Sequence, residues 1–181
     1  MNDRVQREIR ICGFGGQGII LAGVVLGEAA VKAGYWAVQT QSYGPEARGG
    51  AARSEIIVAS QPIDFQRVTA ADVTVALSQP AYDRYVKDAP VGKGVVVVER
   101  DLVEAPGTVA QPFVRTAESV GHKIVTNIVM LGYLNGYLDL IPPELLEAAV
   151  LANVPARTAD LNRQAVRAGR QLHTGAKVND A

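Results

Sequence analysis

The sequence predicts an α/β fold: a doubly wound, mostly parallel sheet followed by a helical C-terminal third. Three observations predict it. The apolar alternation of Ile9 and Ile11 runs straight into a glycine cluster at residues 13–18. A stretch that is apolar almost all round follows at residues 19–33. Short β-branched runs then recur as far as Pro112 and stop there.

Each element has its own signal. Residues 7–12 read as the first strand. Residues 19–33 read as a mostly buried helix, with Glu28 and Lys32 as its main charged pair and Gly34 placed to end it. Residues 35–39 read as a second strand, and residues 42–51 as a polar, glycine-rich loop. Residues 55–59, 73–77 and 95–99 are strands bounded by Pro, Gly, Asp or Ser. The unbroken valines 95–98 imply burial on both faces, the habit of a parallel strand. Past Pro112, residues 117–140, 143–151 and 158–172 read as helices, with Pro142 and Pro143 starting the second and Pro155 preceding the third. The chain is expected to form one domain over residues 1–181. Its α/β core would cover 1–115, a helical portion 116–173, and a polar, frayed tail 174–181.

Composition narrows the function. The 181 residues carry 18 Lys+Arg against 18 Asp+Glu, so the basic excess of a nucleic-acid binder is missing. A hydrophobic content of 48% at zero net charge points to a packed core rather than disorder. One cysteine, Cys12, permits no internal disulfide and no iron–sulfur cluster held by this chain alone. The charged N-terminus has no apolar segment behind it, and the apolar residues 124–141 are interrupted by Asn127, Asn135 and Asp139. A cytoplasmic protein without a membrane span is expected.

Gly13, Phe14, Gly15, Gly16, Gln17 and Gly18 satisfy G-x-G-x-x-G between a predicted strand and a predicted helix, the Rossmann-like arrangement. The first glycine would permit the turn, the second backbone approach to a ligand, and the third close helix packing. Free N–H groups at the helix start would hold an anion. A dinucleotide site also wants a carboxylate about 20 residues on, at the end of the second strand. Val38, Gln39, Thr40 and Gln41 offer none there, and Glu46 lies inside the following loop. NAD or FAD binding, contact with another anion or cofactor, and a purely structural turn all remain open at this level.

In that following loop, Gly44-Pro45 and Gly49-Gly50 are turn makers that project Tyr43, Glu46 and Arg48. In a doubly wound sheet both loops fall at the C-terminal strand ends, where ligands bind. Arg48 suits bidentate capture of phosphate or carboxylate; the alternatives are an ion pair with Glu46 or Glu55, or contact with a neighbouring subunit. Cys12 reads as a small buried hydrophobe, and His122 and His173 lack neighbours at metal-ligand spacing. Arg163, Arg167 and Arg170 share a helix face, either solvated or set toward an acidic partner or phosphate. Asn127, in an apolar helix, needs a hydrogen-bond partner, with bracing of a nearby loop favoured over ligand contact.

Together, Gly13 to Ile19 and the run Ser42-Tyr43-Gly44-Pro45-Glu46-Ala47-Arg48-Gly49-Gly50 resemble the gamma subunit of 2-oxoacid:acceptor oxidoreductases, most nearly those of 2-oxoglutarate, with the pyruvate, branched-chain and aryl-glyoxylate enzymes similar enough to stay open. The resemblance continues at residues 76–82, 127–132 and 162–169, departing at Val166, where the family commonly has an aromatic residue. It implies a subunit of a thiamine diphosphate- and Mg2+-dependent complex that cleaves a 2-oxoacid beside its carboxyl carbon. The acyl group is kept as a coenzyme A thioester, and electrons leave through iron–sulfur clusters to ferredoxin or a similar acceptor. The cofactors would belong to alpha and beta subunits and a cysteine-rich iron–sulfur subunit, with none held by this chain alone. No catalytic residue and no metal ligand is expected here. The candidate binding residues are Gly13, Gly15, Gly16, Gln17 and Gly18 with Tyr43, Glu46, Arg48 and Gly49, placed near the coenzyme A entrance. The alternatives are an autonomous NAD(P)- or FAD-binding module and a purely architectural subunit.

Overall fold

Alternation along β1 (Gln6–Phe14) divides its side chains between two surroundings: Ile9 and Ile11 enter the main core, whereas Arg10 and Cys12 face the other side of the sheet. A computed structural model describes residues 5–43, 50–87 and 94–179 of the chain. After β1 come α1 (Ile19–Lys32), β2 (Trp36–Tyr43), β3 (Ala51–Ala59), β4 (Val73–Ala76), α2 (Gln79–Tyr85), β5 (Val95–Glu99) and β6 (Val109–Gln111). The helices α3 (Phe113–Val120), α4 (Thr126–Leu138), α5 (Pro143–Ala152) and α6 (Ala159–Asn179) complete the chain.

The six strands form one sheet in the order β2-β3-β1-β4-β5-β6. β1, β4, β5 and β6 pair in parallel, while β3 lies antiparallel between β1 and β2. The sheet is therefore mixed and mostly parallel. In the simplest doubly wound arrangement β2 would sit directly beside β1; here β3 separates them. The antiparallel pairing also lengthens the strands beyond their sequence signal. β2 continues to Tyr43 and β3 begins at Ala51, because Tyr43 pairs with Ala52 and Ala52 with Gly13.

Two short elements went unread in the sequence. α2 starts on Pro80 at its first turn and covers the Cys12 face of the sheet, while β6 is a short, mostly exposed edge strand. The long helix expected over residues 117–140 is two helices. Gly121 takes φ 140 after α3, and His122 Nδ1 accepts the Ile124 N–H, so a 3-10 turn (Lys123–Val125) resets the direction before α4. α6 runs past the expected end at Leu172 through the region read as a tail, to Asn179.

One apolar core joins sheet and helices. Ile9, Ile11, Leu26, Ile56, Phe113, Ile128, Leu131, Leu134 and Leu146 are essentially solvent-free within it, each side chain contributing about 1.5–3 kcal/mol on burial. α4 and α6 cross at two glycines. A Cβ on Gly132 would strike the carbonyl oxygen of Val166, and one on Gly169 that of Val129. Val166 is itself buried at this crossing. Among the described residues no helix is long and apolar enough to cross a membrane.

Candidate functional site

The edge where β1 ends is assembled from three chain segments. Gly13, Ala52 and Tyr43 lie side by side in the register of β1, β3 and β2. The Gly15 N–H donates to the Gly50 carbonyl at 2.9 Å, tying the glycine turn to the end of the second loop. The two motifs thus meet at one sheet edge, as expected. Glu46, Arg48 and Gly49 lie outside the described residues, so the ion pair considered for Arg48 is not described either.

Within the turn the glycines divide their tasks differently from the expected scheme. Positive φ falls at Gly16 (97°) and Gly18 (71°), conformations that side chains resist. Close packing falls to Gly13, where a Cβ would come within 2.5 Å of Ile19 Cδ1, and also to Gly18, where it would meet the Asn127 amide. Gln17 is the internal brace. Its Oε1 accepts the Phe14 N–H at 2.6 Å, and its Nε2 donates to the Leu77 carbonyl at 3.2 Å, fastening the turn to the end of β4. Gln17 is therefore occupied in holding the loop's shape.

α1 begins without a capping side chain and without an acidic residue in its first turn. Its first helical hydrogen bond is Ala22 N–H to the Gly18 carbonyl, leaving the N–H groups of Ile19, Ile20 and Leu21 without intrahelical acceptors. Asn127 reaches over from α4 to donate to the same Gly18 carbonyl at 3.3 Å, the bracing role expected of it. A half-open cleft of about 300 Å³ lies beside this helix start, bounded by Gly16, Gly18, Leu21, Ile124, Asn127 and Arg157. Ile124 is 72% exposed at its rim. The exposed Arg157 makes no ion pair among the described residues.

The ribose carboxylate of a dinucleotide site has no substitute in β2. Gln39 turns inward, donating to the Ile20 carbonyl and to Ser54 Oγ. With β3 intervening, the end of β2 also stands one strand further from the turn, about 4.8 Å more.

On the opposite face, Arg10 and Glu55 form a pair at 2.8 Å with both side chains 11% exposed. Cys12 is fully buried beside them, and burial pushes its thiol up to about 12 despite the lowering influence of Arg10 and Arg53. It packs as the small hydrophobe expected. Glu99 is also buried, and desolvation raises its carboxyl above the ordinary range although the N–H groups of Asp101 and Val114 donate to it. Its position explains how α3 starts without a cap of its own: Glu99 accepts from the helix's first turn.

Arg163 and Arg167 both pair with Glu147 of α5, so two of the three arginines on that shared helix face hold the helical portion together. Among the described residues no three His, Cys, Asp or Glu side chains converge as a metal site. The side-chain roles of Gln17 and Gln39 escaped sequence reading, because glutamine carries no positional signal comparable to glycine's.

The family model described as pyruvate ferredoxin/flavodoxin oxidoreductase matches residues 8–172. The 2-oxoglutarate synthase subunit KorC of Methanocaldococcus jannaschii is 48% identical over 178 residues, covering 93% of this chain and 95% of that one. The subunit of the same name from Methanothermobacter marburgensis is 44% identical, covering 93% and 97%. Among solved structures, the gamma subunit of a keto/oxoacid ferredoxin oxidoreductase from Geobacter sulfurreducens superposes with a TM-score of 0.82 at 42% identity, over 95% of this chain and 98% of that one.

Proposed function

Since this chain belongs to the pyruvate ferredoxin/flavodoxin oxidoreductase family as a gamma-type subunit of a 2-oxoacid:ferredoxin oxidoreductase, we propose that its complex acts on 2-oxoglutarate. In this reading the complex releases the carboxyl carbon as CO2 and keeps the succinyl group as its coenzyme A thioester. Two electrons pass to ferredoxin or a similar acceptor. The two relatives named for 2-oxoglutarate support this choice, each matching almost end to end.

The role of this chain within the complex is assembly and the approach of coenzyme A. The observation that carries it is the joining of the glycine turn to the second loop at one open edge, with free helix N–H groups beside it. That edge presents backbone donors. The candidate contacts are Gly13, Gly15, Gly16, Gln17 and Gly18 with Tyr43, Glu46, Arg48 and Gly49. Thiamine diphosphate with Mg2+ belongs to the alpha and beta subunits in this reading, and the clusters to a cysteine-rich partner. Cys12 does not suit cluster ligation, since its thiol is fully buried and stays protonated. The complex works in the cytoplasm.

Tagged chain recovered from its native cells tests the proposal. We expect stoichiometric thiamine diphosphate-binding and cysteine-rich chains, brown from clusters, with coenzyme A-dependent dye reduction fastest on 2-oxoglutarate. Recovery of the chain alone would refute the subunit role. A preference for pyruvate, a branched-chain oxoacid or an aryl-glyoxylate would refute only the substrate. Arg48→Ala leaving assembly, coenzyme A affinity and turnover unchanged would refute the role of the second loop.

A further inference from the structure

We propose that β2 is a pairing edge, at which two copies of this chain join antiparallel across a two-fold axis and run their sheets into one. Among the described residues β2 pairs only with β3. The backbone N–H and C=O groups of its alternate residues therefore point out of the sheet. Eight residues, Trp36–Tyr43, form this edge, against three in β6 at the other. An edge left in water is ordinarily blunted by charge, proline, a bulge or shortness. β2 has none of these: it reads Trp-Ala-Val-Gln-Thr-Gln-Ser-Tyr and matches β3 residue for residue.

Symmetry and charge identify the occupant as a second copy. In a two-fold contact each residue near the axis meets its own counterpart, so any charge there meets its like. An uncharged edge is what self-pairing needs, whereas pairing with a different chain imposes no such demand. Opposite residues of an antiparallel pair share a sheet face, so the axis passes through a residue position rather than between two. Centred on Gln39, it sets Val38 opposite Thr40 and Trp36 opposite Ser42 of the second copy. Residues 36–42 of both copies then form about six to eight hydrogen bonds, most of the roughly ten in a typical protein–protein interface.

α1 leaves space beside this centre. A groove of about 370 Å³ opens between α1 and β2, lined by Gly23, Val24, Gly27, Val31, Ala37 and Gln39. Gly23 seats against Gln39, where a Cβ would come within 2.6 Å of Nε2, and a Cβ on Gly27 would meet only Ala37 Cβ at 4.0 Å. The axis at Gln39 brings two such grooves side by side, and the half-buried Val24 side chains close over the joined strands. Trp36, 55% exposed in the single chain, is covered as its strand is paired. The inference does not rest on the subunit role proposed above.

The test is sedimentation of the full chain from about 1 μM to about 1 mM, with hydrogen exchange of its backbone amides read at both ends of that range. We expect the mass to double as concentration rises. The outward amides of residues 36–42 should gain protection with it, and those of β6 should not. Val38→Lys and Val38→Glu each set like charges diagonally across the axis, and each should weaken the dimer about tenfold or more. An equimolar mixture of the two should recover it, which also shows that both variants fold. A chain that stays monomeric to about 1 mM overturns the proposal, as does a dimer whose β2 amides gain no protection. A dimer unchanged in both single variants overturns it too, and so does loss in both without recovery in the mixture.

Discussion

Asn127 donates its side-chain amide to the carbonyl of Gly18 at 3.3 Å, joining α4 to the glycine turn across 109 residues of sequence. Gly18 holds φ 71°, and a Cβ there would run into the Asn127 amide. Two penalties therefore meet at one position. Gly18→Ala should cost about 1–2 kcal/mol for the left-handed backbone alone, and more because Asn127 must move. In an Asn127→Ala background the same substitution should cost about 1 kcal/mol less. Urea denaturation of the two single variants, the double variant and the parent chain measures this coupling, and strictly additive costs would show that the two residues act independently.

The two glycines at the α4–α6 crossing reverse the usual rule for helices. Propensity alone predicts that Gly169→Ala gains about 1 kcal/mol. The Cβ would strike the Val129 carbonyl, so a loss of about 2 kcal/mol is expected instead. Gly27 in α1 is the control, since a Cβ there meets only Ala37 Cβ at 4.0 Å. Gly27→Ala should stabilise by about 0.5–1 kcal/mol. Equal signs for the two substitutions in thermal melts would contradict the crossing geometry.

Arg10 and Glu55 face each other across β1 and β3, largely out of solvent. Glu55→Gln leaves the Arg10 charge uncompensated and should cost about 3–5 kcal/mol. Replacing the pair by Met at Arg10 and Leu at Glu55 should recover most of that loss. Chemical denaturation decides it: a single-variant cost below 1 kcal/mol would mean that water or Arg10's own freedom relieves the charge.

Cys12 titrates outside the ordinary thiol range, raised from 9.0 to about 12. The folded state therefore keeps a proton that the unfolded state releases first. The thiol's contribution is complete below pH 9.0 and is lost as pH rises toward about 12, by at most about 1.4 kcal/mol per pH unit. The stability advantage of the native chain over Cys12→Ala should shrink across that window. Disulfide reagents at pH 8 should label Cys12 only after unfolding, and rapid labelling of the native chain would sink this account.

Much of this protein was legible in its residues. The strand ending at a glycine turn, the buried α1, the five-residue valine-rich β5 and the C-terminal helices all follow from local periodicity and from proline and glycine punctuation. The meeting of the two loops at one end of the sheet could likewise be read, because strand direction sends both there. Other features depended on contacts between distant segments. Nothing local told β3 to run antiparallel between β1 and β2, or Gly169 to seat against Val129. The break at Gly121 was written in the sequence but hidden by apolar residues that continue on both sides. Periodicity records which face of an element avoids water. Which neighbour covers that face, and which charges then meet there, as Arg53 and Arg84 do on Tyr85, is settled only when the whole chain packs at once.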